Sequence, residues 1–68
     1  MNIFTVRDNL KNTIKGKREL LLTYIDPDAR PFEHRLVKQI ARDILTINID
    51  ELTRILADVE ICCNEQSS

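Results

Sequence analysis

Two prolines four positions apart, Pro27 and Pro31, are the only strong helix breakers in the chain, and Gly16 is its one glycine. The remaining residues hold helical backbone readily, so the sequence is constrained to helices with one turn placed at Asp26-Pro27-Asp28-Ala29-Arg30-Pro31. Proline disfavours the α conformation in the residue before it, which pushes Asp26 and Arg30 towards extended geometry. Pro31 suits the first position of a following helix, where its missing N–H costs nothing.

Before the turn, Val6, Leu10, Ile14, Leu21 and Ile25 recur at helical spacing, and Ile3 and Tyr24 fall on the same side at ~100° per residue. The stripe keeps its phase through Gly16 and predicts one continuous helix over about residues 4–25, despite a cost of ~1 kcal/mol for glycine relative to alanine. Gly16 lies off the stripe, so it is not a core-packing glycine. Three readings stay open: a tolerated weak point, a place where a partner's backbone comes close, or a real break in the helix.

After the turn, Leu36, Val37, Ile40, Ala41, Ile44 and Leu45 occupy a wider arc than one neighbouring helix would cover. No glycine or proline follows Phe32, so a single long helix is one reading. Two features point the other way. The apolar stripe after Ile49 is rotated by ~100° from the one before Leu45. Thr46 to Leu52 also resembles a helix start, with Asn48 as N-cap, Glu51 as the third helical residue, and Ile47 and Leu52 placed as a hydrophobic staple. The expected fold is therefore all-α: a small three-helix domain, its long first helix packed on a helical pair. The third helix, about residues 49–63, would bury Ile49, Leu52, Ile55, Leu56, Val59, Cys62 and Cys63. Residues 1–63 form a single domain in this reading, and 64–68 a frayed polar tail.

A domain this small buries only roughly 60% of its unfolded surface. Ordering a residue costs ~1.5 kcal/mol against ~25 cal/mol per Å² of apolar burial, which leaves so short a chain near zero stability. Disulfides do not help, because Cys62 and Cys63 are adjacent and cannot join distant segments. No signal-peptide pattern opens the sequence, and a reducing, cytoplasmic setting is expected. Self-association is the expected source of extra burial, in a homodimer. No apolar run approaches the roughly 18 residues of a membrane span, the longest being Leu20 to Leu22, so no membrane role is expected.

The net charge of −1 conceals a polarity: residues 1–25 carry +3, residues 26–45 balance, and residues 46–68 carry −4. On the first helix Arg7, Lys11, Lys15 and Arg18 form a basic ridge beside the apolar stripe. Like charges at that spacing repel by a few tenths of a kcal/mol per pair. The ridge is the candidate surface for an acidic protein partner, with Gly16 as the point of close approach. Arg35, Lys38 and Arg42 lie together on the next helix, and with the ridge they could follow a phosphate backbone. No aromatic residues are interleaved for base stacking. A solvated face is the plain alternative. Lys17 falls inside the apolar stripe, where it either reaches water from the edge or pairs with an acid from the third helix or another copy.

Catalysis has little to work with. His34 is the lone histidine, with no nucleophile placed beside it. Cys62-Cys63 lacks the spacer of zinc and redox sites and fits packing as a pair of small hydrophobes. One glycine makes no phosphate loop, and turn chemistry accounts for Asp26 and Asp28 better than calcium does. A helix-turn-helix reading would put four acids and one arginine, between Asp50 and Glu60, into the major groove. The expectation is a small non-enzymatic interaction or regulatory module acting as a homo-oligomer, without cofactor, metal or small-molecule substrate. The alternative is a nucleic-acid-binding accessory factor using the basic ridge with Arg35, Lys38 and Arg42.

Overall fold

The computed structural model describes residues 2–67, which form two helices and no strand: α1 (Ile3–Ile25) and α2 (Arg35–Ser67). They pack antiparallel as a hairpin with extents of 51 × 17 × 15 Å. Met1 and Ser68, the outermost residues of the expected domain and tail, lie outside the described residues.

Asn2 caps α1. Its side-chain oxygen accepts from Phe4 N–H at 2.9 Å and its carbonyl from Val6 N–H at 3.1 Å, which satisfies donors a helix start leaves orphaned. The helix runs through Gly16 as the unbroken stripe requires. It ends at Asp26, whose extended backbone is what Pro27 imposes on the residue before it. Asp26 Oδ1 then accepts from Asp28 N–H at 3.0 Å, bending the chain in an Asx turn.

Arg30 latches the connection. Its guanidinium lies 3.9 Å from the Tyr24 ring centroid, Nε donates to Thr23 Oγ1 at 3.0 Å, and NH1 pairs with Glu33 Oε1 at 2.7 Å. Pro31 does not begin the second helix. His34 does the capping: its Nδ1 accepts from Leu36 N–H at 3.0 Å and its carbonyl from Lys38 N–H at 3.1 Å. Phe32 stays in the connection, fully exposed.

The expected three-helix count is corrected to two. No break occurs at Thr46 to Leu52; α2 is continuous for 33 residues. Thr46 Oγ1 donates to Arg42 C=O and Thr53 Oγ1 to Ile49 C=O, both at 2.7 Å, so both hydroxyls bond back into the helix they sit in. Asn48 is helical and half-buried, and it caps nothing. The ~100° rotation of the stripe marks a change of face. Leu45, Leu52, Leu56, Val59 and Cys63 keep one line towards α1, whereas Val37, Ile40, Ile44 and Ile47 turn away from it. Residues 64–67 continue the helix, with Ser67 Oγ donating to Cys63 C=O at 3.0 Å.

The core is small. Ile14, Leu45 and Cys63 are the buried hydrophobic side chains among the described residues, whereas Val37, Ile40, Ile44, Ile47 and Ile55 are each at least half exposed. The accessible surface is 5293 Å², against about 4,400 Å² for a compact monomer of this mass. The radius of gyration is 15.4 Å, where about 11 Å is usual for this length. The hairpin is a rod 51 Å long, and two long faces flank the contact between its helices.

Candidate interaction faces

Helical phase assigns side chains to the two faces. Taking Ile14 on α1 and Leu45 on α2 as the points that look at each other, residues advancing one way round both helices share one face, because the helices are antiparallel. The groove between the helices confirms the handedness: Lys11, Lys15, Arg18 and Leu22 of α1 line it together with Thr53 and Leu56 of α2.

This first face is polar and basic. Lys11 Nζ reaches Glu60 across the groove at 3.5 Å, an exposed pair of small energetic weight. Lys15 and Arg18 are exposed and make no ion pair among the described residues. Between them and α2 the groove floor is apolar, made by Ile14 and Leu56 with Leu22 at its end. Arg7, first of the ridge, is half-buried. It pairs with Asp8 at 3.1 Å and lies 5.5 Å from the Phe4 ring centroid, so its charge is engaged locally. Gly16 does not join the groove. It stands on the back of α1, and a Cβ built there meets nothing within 4 Å.

Arg35, Lys38 and Arg42 line a depression at the turn end with Tyr24, Ile25 and Gln39. Their phase puts Arg35 and Arg42 on the same broad face as Lys15 and Arg18, while Lys38 is half-buried. The structure thus lines up on one side two basic groups that are separate in sequence.

The second face carries Val6, Leu20 and Tyr24 from α1 and Val37, Ile44, Ile55 and Cys62 from α2. Its aliphatic side chains are open to solvent: Leu20 is 42% exposed, Val37 54%, Ile44 53% and Ile55 50%. Ile40 and Ile47 extend it at the outer edge of α2. Lys17, Asn48 and Glu51 are the polar residues at its middle. The cysteines divide between environments: both are free thiols, Cys63 buried with Sγ 3.9 Å from Ile3 C=O, Cys62 exposed on this face.

Sequence reasoning missed two residues that lock the connection, Arg30 and Glu33, whereas His34 stands exposed at a helix start, as the sequence suggests. The partners of Arg30 and Glu33 are set by how the connection folds back, and a proline-bracketed turn gives no spacing from which to read that. Among the described residues no three His, Cys, Asp or Glu side chains converge as a metal ion would require. Among the described residues no helix is long and apolar enough to cross a membrane. No protein-family model, curated protein or solved structure matches the chain.

Proposed function

We propose that this chain is a non-enzymatic interaction module: a helical hairpin that associates with a second copy through its apolar face and holds an acidic protein segment on its basic face. The observation that carries the reading is the apolar face itself. The chain exposes about 900 Å² more than a compact monomer of its mass, and a standard interface buries about 800 Å² per partner. A second copy supplies a face of the same chemistry and length, and joining the two gives a four-helix bundle, the usual way such hairpins complete a core. The groove of Lys11, Lys15 and Arg18 over Ile14, Leu22 and Leu56 suits an amphipathic acidic helix, with carboxylates for the rim and aliphatic side chains for the floor. Such a module would act in the cytoplasm by occupying its partner's surface.

The alignment of Arg35 and Arg42 with Lys15 and Arg18 favours a second reading, a nucleic-acid accessory factor that lays this face along phosphates. Light scattering with and without a random duplex DNA, at low and then physiological salt, tests both. The expected result is twice 7.9 kDa with no response to DNA. A complex with DNA that weakens steeply as salt rises would replace the protein partner by nucleic acid, and a monomer would remove the homodimer.

A further inference from the structure

The inference here rests on the homodimer reading and adds how the two copies are arranged. Lys17 sits on the apolar face, half-buried, about 60° round α1 from Ile14. Glu51 is the midpoint residue of α2, exposed at the outer part of the same face. No ion pair or side-chain hydrogen bond joins either residue to another described residue. The contact of Ile3 with Cys63, and the shared groove of Ile14 and Leu56, set the register and bring Lys17 and Glu51 to the same height within about one turn. One charge of each sign therefore stands at the middle of the face, one on each helix. Leu20, Tyr24, Val37 and Ile44 lie on the turn side of this layer, and Val6, Ile55 and Cys62 on the other.

Two such faces can be laid together with two-fold symmetry in two ways. With the axis running across the helices, the turns lie at opposite ends and each helix meets its own copy. Lys17 then confronts the partner's Lys17, and Glu51 the partner's Glu51. With the axis along the hairpin, the turns lie at the same end and α1 of each copy meets α2 of the other. Lys17 then stands opposite the partner subunit's Glu51, twice. Both arrangements cover the same apolar side chains, so the apolar contacts do not choose between them. The charges do, because like-charge juxtaposition at a partly dehydrated interface is costly and opposite charges there fix register. We propose that two copies dock with both turns at one end, held in register by two reciprocal Lys17–Glu51 pairs.

The test uses the full chain. Lys17→Glu and Glu51→Lys are prepared separately, checked for helicity, and examined by sedimentation equilibrium. Each alone should self-associate about tenfold more weakly than wild type or worse. Their equimolar mixture should recover wild-type affinity, because every position 17 then faces an opposite charge at the other copy's position 51. A pairing within one chain would be rescued in the double variant but not in the mixture. As a check that keeps Lys17 and Glu51 in place, Asp28→Cys in a Cys62→Ser, Cys63→Ala background, first shown to dimerise as the wild type does, carries a spin label on each turn. Labels within about 30 Å of one another agree with the proposal, since neighbouring helices lie about 10 Å apart. A separation comparable with the 51 Å length of the molecule overturns it. An unrescued mixture, in chains that remain helical, does the same while leaving the homodimer reading intact. A monomeric wild type removes both.

Discussion

The two broad faces of the hairpin are made by the same two helices, yet they differ in what they leave undone. On the basic face the polar side chains already meet water, Lys11 has Glu60 and Arg7 has Asp8. On the apolar face Val37, Ile44 and Ile55 stay half in solvent with nothing in their own chain to cover them. The difference separates two kinds of interaction. Covering the apolar face would add burial that the single chain lacks, whereas occupying the basic face would add selectivity and salt sensitivity.

The comparison breaks most visibly at Ile44. Ile44→Asp places a charge in the middle of the apolar face and should weaken self-association by about a hundredfold or more, roughly 3 kcal/mol, in sedimentation equilibrium. Its counterpart on the other face, Lys15→Glu with Arg18→Glu, should leave the mass unchanged and abolish capture of an acidic helical peptide. Smaller effects sharpen the contrast by acting on neither face. Arg30→Ala removes the stack on Tyr24 and the pair with Glu33, and thermal unfolding should show a loss of about 1–2 kcal/mol. His34→Ala removes the cap of α2 at a cost of about 1 kcal/mol in the same measurement. Gly16→Ala fills open space on the back of α1 and should raise stability by up to ~1 kcal/mol without altering mass or peptide binding. A change in either would show that a partner reaches that side.

The first helix was legible almost to the residue, because its apolar stripe is narrow and faces a single neighbour. Asp26 ends it where proline chemistry places the end. The second helix was misread at Thr46 to Leu52 because its apolar residues serve two faces in succession. A stripe that changes face along one straight helix has the same pattern as two helices with a bend between them. Only tertiary contact tells the two apart, by showing that Leu45, Leu52 and Cys63 keep one direction. The basic ridge was legible as spacing, but the separation of Arg7, engaged by Asp8 and Phe4, from Lys15 and Arg18, which are not, depends on side-chain placement. Gly16 was grouped with the ridge from proximity in sequence, and the helix rotates it onto another side.

A core of three buried side chains among the described residues also bears on how long a molecule lasts. A solitary copy has few contacts to lose when it opens, and cleavage by proteases that act on opened chains follows the population of that open form. In the proposed dimer, association would withdraw from the vulnerable pool a fraction of copies that rises with their concentration. Scarce chains would then be cleared quickly and abundant ones persist, so that the lifetime of each molecule reports the number of its fellows.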